Sequence, residues 1–401
     1  MKTKDGSRFL SALALLAAGL VLSGVPNAGN SARAAEEAHA PYQPDWQRVA
    51  QNIVQRSVKL APGERVLLHY DPEQDPELIA AIRDAIARAD GIIVAEWTWP
   101  SARTGEYLAS LSEEQRRKRA EAEDAIYRDL FARADVYLWM HVSSSGDLVP
   151  RRFENLIGGS KVRGVHSHWF RSIDPAENET LLQMYERAIA IDPQALDTTL
   201  AAMERKLRGS EVRITSPNGT DLRFKVPADA WFHRNTGDAS REKVANARSV
   251  RDREEELPAG ALRTTDVRDA SGTLNATLVS STKRGGVGVK LRNGRIQEFK
   301  SLGGDGDEAA KWYTSLEGDR DQVSEFVIGT NPELQPILPS GFMPYYGYGA
   351  GIIRIAIGDN WESGGKLRTE GHQDMWLFVT DGTLTANGVK IIENGNLVAT
   401  P

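Results

Sequence analysis

The sequence predicts an α/β N-terminal domain followed by a β-rich α+β C-terminal domain. Up to about residue 207, apolar runs of strand length alternate with helical patterns, which implies a mostly parallel sheet with helices on both faces. From Gly209 the runs shorten and Asn-Gly turns recur at Asn218-Gly219, Asn293-Gly294, Asn387-Gly388 and Asn394-Gly395. That dipeptide between apolar runs is a strong hairpin signal.

Residues 1–34 read as a secretory signal. Lys2, Lys4 and Arg8 precede an apolar run from Phe9 to Leu22, and Ala32-Arg33-Ala34 supplies a small-x-small cleavage site. The expected domains are therefore 35–208 and 209–401, after cleavage near Ala35, with export to the periplasm or beyond. Removing the leader takes away four basic residues and one acid, so the mature chain is more acidic than its formal charge of −6. Such a charge argues against nucleic-acid partners and against electrostatic attachment to membranes. No cysteine is present, which excludes disulfides and thiolate ligands.

In the first half, Arg65–Tyr70 is a buried-strand run behind the turn Pro62-Gly63, and Leu78, Ile79, Ile82 and Ile86 give 76–89 a helical stripe. Gly91–Trp99, Val136–Val142 and Val162–His168 are further strands. Ser112 with Gln115 forms a capping box for a long charged helix to about Ala134. Helical patterns also cover Pro175–Ile191 and Pro193–Leu207. Open α/β sheets bind ligands at the loops after such strands. Here these carry Ser143-Ser144-Ser145-Gly146 and the pair His166 and His168, which read either as metal ligands or as polar residues at a strand end. No GxGxxG motif supports a dinucleotide site.

In the second half, Glu211–Ser216 and Asp221–Val226 form a hairpin, with more strand in Leu278–Leu291 and Ile391–Val398. The charged cluster Arg248–Glu256 reads as a solvated loop. The stretch from Gly351 to Phe378 draws the eye because His372 and Asp374 would share one face of a strand, as metal ligands or as a satisfied polar pair.

These pieces resemble a known family. Leu60-Ala61-Pro62-Gly63-Glu64-Arg65-Val66-Leu67, Asn218-Gly219-Thr220-Asp221-Leu222, Leu257-Pro258-Ala259-Gly260, Ile328-Gly329-Thr330-Asn331-Pro332, Ile355-Ala356-Ile357-Gly358-Asp359-Asn360 and His372-Gln373-Asp374 follow one another as in the thermophilic aminopeptidases, the aminopeptidase T family of metallopeptidases. Dihydroxypyridine dioxygenases, which use one non-haem iron, look like relatives with the same second-half pattern. The resemblance implies a homodimer acting on a peptide or small-molecule substrate, with two metal ions held by carboxylates and histidines.

The implied ligand set is incomplete. A Glu is expected after Leu-Pro-Ala-Gly, and Ala261 stands there; Arg354 replaces the His that opens Ile-Ala-Ile-Gly; Trp361 stands for an expected Tyr, with Tyr345, Tyr346 and Tyr348 nearby. Glu325, His372 and Asp374 are retained and would hold one divalent ion, zinc, manganese or iron. Glu325 and Arg354 are the candidate catalytic residues. A guanidinium does not deprotonate to become a ligand, so Arg354 would instead pair with Glu325 or Asp374. Three readings stay open: a metal-dependent hydrolase with at most one metal, a mononuclear-metal enzyme, and a metal-free binding protein whose site Arg354 closes.

Overall fold

The computed structural model describes residues 42–98, 107, 110–142, 156–172, 174–278 and 285–398. The leader and the Ser143–Gly146 loop lie outside the described residues. The first four strands are β1 (Arg65–Tyr70), β2 (Ile92–Thr98), β3 (Val136–His141) and β4 (Arg163–His168), paired in parallel in the order β2-β1-β3-β4. The helix Pro76–Arg88 begins where Asp75 accepts the Glu77 N–H and proline occupies the first turn; it buries Leu78, Ile79, Ile82 and Ile86. The Ser112–Gln115 capping box starts the helix Glu113–Arg133, which is largely exposed and packs through buried Phe131 and half-buried Tyr127 and Leu130.

Strand alternation gives this sheet a core on each face. Val66, Leu68, Val136, Leu138 and Met140 pack with the helices Trp46–Gln51, Pro76–Arg88 and Asn178–Ile189, whereas Leu67, Tyr137 and Trp139 pack with Phe131 and Ile157. Among the described residues no helix is long and apolar enough to cross a membrane.

After the helix Pro193–Leu207 come β5 (Ser210–Thr215), β6 (Asp221–Val226), β7 (His233–Asn235), β8 (Glu254–Leu257), β9 (Ala261–Thr264), β10 (Arg268–Thr277), β11 (Gly286–Arg292), β12 (Arg295–Ser301), β13 (Val323–Gly329), β14 (Ile353–Gly358), β15 (Asp374–Val379), β16 (Thr383–Ala386), β17 (Val389–Glu393) and β18 (Asn396–Leu397). All except β8 join one large antiparallel sheet, ordered β18-β17-β16-β5-β6-β10-β15-β14-β13-β9-β7, with β11 and β12 branching from β10. The chain is thus an α/β region followed by a β-rich one. Leu278 falls just past β10 and β11 covers Gly286–Arg292, while residues 279–284 of the expected strand lie outside the described residues.

The expectation of a solvated loop over 248–256 is overturned at its C-terminal end. Strand β8 adds in parallel to β4 as the fifth strand of the first sheet, and Glu254, Glu255 and Glu256 are buried at 1%, 1% and 3% exposure. Buried carboxylates persist where their charge is matched. Glu254 meets His166 and Arg251, Glu255 accepts the Gly237 N–H at 2.9 Å, and Glu256 meets Arg251, Arg263 and Tyr348.

Two of the sequence motifs dock on each other as framework. Gly260 has φ +122, and a Cβ there would stand 2.9 Å from the Asn331 backbone nitrogen. Asn331 Nδ2 in turn donates to the Ala259 carbonyl at 2.6 Å, and Thr330 N–H to the Gly260 carbonyl at 2.8 Å.

Candidate functional site

The antiparallel register gathers the polar side chains of four strands on one face. Arg263 on β9 and Arg354 on β14 both lie opposite Val327 of β13; Glu325 lies opposite Ala356, and Ala356 opposite Trp376 of β15. Directly paired residues share a face, and so do residues two apart. Phe326, Ile328, Ile353, Ile355, Ile357, Leu377 and Val379 therefore occupy the other face, inside the apolar core of the large sheet. The polar face turns toward the first core, to which Val327, Tyr345 and Tyr348 belong.

On this face Glu325 is 8% exposed and both of its oxygens are engaged. Oε2 accepts from Arg354 Nη2 at 2.8 Å, Oε1 accepts from Ser363 Oγ at 2.7 Å, and Arg263 Nε stands 3.3 Å from Oε1. The Arg354 guanidinium, 1% exposed, also lies over the Trp376 indole at 4.3 Å. Arg263 Nη2 donates to Glu256 Oε2 at 3.0 Å, Arg251 Nη1 stands 3.1 Å from Glu256 Oε1, and the Tyr348 hydroxyl donates to Glu256. Arg251 also pairs with Glu362.

The electrostatics follow from this packing. Burial pushes the Glu325 carboxyl up, but Arg263, Arg354 and the Ser363 hydrogen bond outweigh it and hold the group below the usual range. Burial also opposes ionisation of Glu256, and Arg251 and Arg263 overcome it to hold that carboxyl well below its ordinary value. Beside them Glu255 lacks a comparable cationic neighbourhood, and burial drives its carboxyl up.

The sequence-predicted residues converge only in part. Glu325, Arg354 and Asp374 line one cavity of about 30 Å³, together with Arg251, Arg263 and Asp359. That is roughly the space of a single water. Asp374 Oδ2 accepts from Trp376 Nε1 at 2.7 Å. His372 does not project beside Asp374 from a strand, as the i, i+2 spacing suggested. It precedes β15 in a short turn, where Gly371 and His372 both take left-handed conformations (φ 67 and 52), and its side chain is 40% exposed. Its Nδ1 faces Asp359 Oδ2 at 3.1 Å. His166 and His168 do lie side by side on β4, with His166 against Glu254 and edge-on to Trp139, and His168 stacked on Phe170.

Sequence reasoning missed Arg251, Arg263 and Glu256. The available signal was Arg263, two residues beyond the Ala261 position and so on the same strand face. Among the described residues no group of three or more His, Asp or Glu side chains is arranged to hold a metal ion. The donor set of the cavity favours ion pairing over a divalent cation: three guanidiniums line it beside the carboxylates of Glu325, Asp359, Glu362 and Asp374, and both oxygens of Glu325 are taken. At about 4 Å two unit positive charges repel by ~4 kcal/mol at an effective dielectric near 20, and a divalent ion facing a guanidinium by about twice that.

Comparison with solved structures gives the fold its relatives. The chain aligns with AmpT from Thermus thermophilus at a TM-score of 0.62 and 14% identity, over 88% of this chain and 99% of that one. It aligns with the 2,5-dihydroxypyridine dioxygenase of Pseudomonas putida at a TM-score of 0.59 and 14% identity, over 88% and 97%. The chain shares their fold. No protein-family model matches the sequence, and no curated protein sequence does. One scaffold thus accommodates a protein named as a dioxygenase and another named AmpT, so chemistry has to be argued from the side chains of this chain.

Proposed function

We propose that this chain is an exported binding protein built on an aminopeptidase-like fold, which takes a peptide or small-molecule ligand without hydrolysing it. The observation that carries the reading is the arginine–glutamate cluster on the face where the family resemblance puts metal. Arg354 and Ser363 hold both oxygens of Glu325, Arg263 adds a second guanidinium, and about 30 Å³ remains beside them. A buried carboxylate already matched in this way gains little by exchanging its partners for a hydrated cation. The leader-like segment 1–34 supports export, and the family resemblance supports a homodimer.

The likeness to AmpT over nearly its whole length favours a second reading, a metal-dependent hydrolase with at most one ion at Glu325, His372 and Asp374. One experiment separates the readings. Purified mature protein is incubated with zinc, manganese or ferrous ion, desalted and analysed for metal, and its release of N-terminal residues from peptides is measured. The binding reading expects substoichiometric metal and no release. Metal bound tightly with ordinary peptide cleavage would establish the hydrolase, and one equivalent of redox-active iron would point to an oxygenase.

A further inference from the structure

We infer that a second, larger cleft, of about 710 Å³, binds a small ligand carrying several carboxylate or phosphate groups. Its lining contains Lys161, Arg248, Arg253 and Arg368, and among the described residues no Asp or Glu. This is a local reversal in a chain whose formal charge is −6. The volume falls within the range of about 300–1,000 Å³ usual for small-molecule sites.

The state of the four cations sets this cleft apart from the cluster around Glu325. There each arginine is paired with a carboxylate. In the cleft two of the guanidiniums, those of Arg253 and Arg368, are positioned by uncharged acceptors. Arg253 donates to the carbonyls of Ser160 and Gly158, and Arg368 Nη1 donates to those of Gly365 and Leu367 at 2.9 and 2.7 Å. Carbonyls orient a guanidinium without pairing it directly with a carboxylate, although Asp252 and Glu254 act on Arg253 from a distance, and this leaves N–H groups suited to capture of an oxyanion. The carboxylate of Asp252, the nearest acid in sequence to Arg248, is engaged by backbone and histidine. Its Oδ2 accepts the backbone N–H groups of Arg248 and Ser249, and its Oδ1 faces His233. Trp361 supplies an apolar wall and also lines the small cavity at Glu325, so the two sites are neighbours across one indole. Gly158 keeps the floor low, since a Cβ there would meet Val250 at 3.3 Å and Trp361 at 3.5 Å.

This inference deepens the binding reading and rests on it only for the ligand leaving unchanged. The test is calorimetric titration of the mature protein with citrate, inorganic pyrophosphate, triglutamate and, as a control, trilysine. Two double variants are compared. Arg248→Gln with Arg368→Gln removes exposed cleft charges; Arg213→Gln with Arg223→Gln removes the same charge from the exposed β5–β6 hairpin. At least one anionic probe should bind and weaken with salt, and the cleft variant should lose about tenfold or more in affinity while the hairpin variant does not. A preference for pyrophosphate over citrate and triglutamate assigns a phosphate ligand, and the reverse a carboxylate one. The inference is overturned if no anionic probe binds at millimolar concentration in low salt, if trilysine binds equally well, or if both double variants lose affinity alike. Recovering triglutamate cleaved would overturn the binding reading and leave the cleft assignment to the variant comparison.

Discussion

Replacing Arg354 by methionine probes the cluster most directly. The guanidinium and Glu325 are 2.8 Å apart and both are buried, so at an effective dielectric near 20 their gross attraction is about 6 kcal/mol. Much of that offsets the desolvation of the two groups, and breaking a buried pair from one side typically costs about 3–5 kcal/mol. Glu325 would keep Ser363 at 2.7 Å and Arg263 at 3.3 Å, which places the loss near the lower end, about 3 kcal/mol. For a chain of this size that corresponds to a drop of about 4 °C in thermal midpoint. Urea unfolding of wild type, Arg354→Met, Glu325→Gln and the double variant completes the cycle. The double variant should be less damaged than the sum of the singles by at least about 1.5 kcal/mol, because neither partner is then left charged against the other's absence. Additive losses, or an Arg354→Met protein as stable as wild type, would refute the pairing argument.

Further outcomes follow from the same structure. Because their folded-state carboxyls are depressed, Glu256 and Glu325 contribute stability that is present above the unfolded value of about 4.3 and lost as pH falls below it toward their folded values. Glu255, whose carboxyl is raised, acts in the opposite sense and gains as pH falls. The net expectation is a steep fall in unfolding free energy between about pH 4.3 and pH 3, and a flat profile there would count against the cluster. Arg354→His with Ala261→Glu should raise bound divalent metal relative to wild type, read by metal analysis after desalting; unchanged metal content would contradict the electrostatic account. Intact-mass measurement of exported protein should give a mature chain beginning at or near Ala35, and a membrane-held species retaining Met1 would contradict this.

The first half was legible in the sequence because its signals were local. Capping at Ser112, proline after Asp75 and Asp192, and strand-length apolar runs each act within a few residues. The hairpin of β5 and β6 was legible for the same reason, with Asn218-Gly219 between alternating strands. What escaped depends on distant partners. Three consecutive glutamates suggest a solvated loop unless Arg251, Arg263, Lys243 and His166 are known to converge on them. The contact between Arg354 and Glu325 was foreseeable only through the family pattern. His372 went astray because spacing cannot reveal that Gly371 and His372 turn before β15 begins.

Strand β8 also governs how the chain can be divided. Its addition to β4 means that a sheet begun by residues 65–70 is completed by residues 254–257, on the far side of three strands that belong to the other sheet. A fragment ending at Leu207 would carry β4 with a bare edge, its Arg163 would lack the Ala239 carbonyl, and its His166 would lack Glu254. Unpaired strand edges invite pairing with other chains. The change of character at Gly209 therefore marks a change of architecture inside an interlocked chain, and the α/β region reaches its finished form only after the ribosome has moved well into the β-rich one.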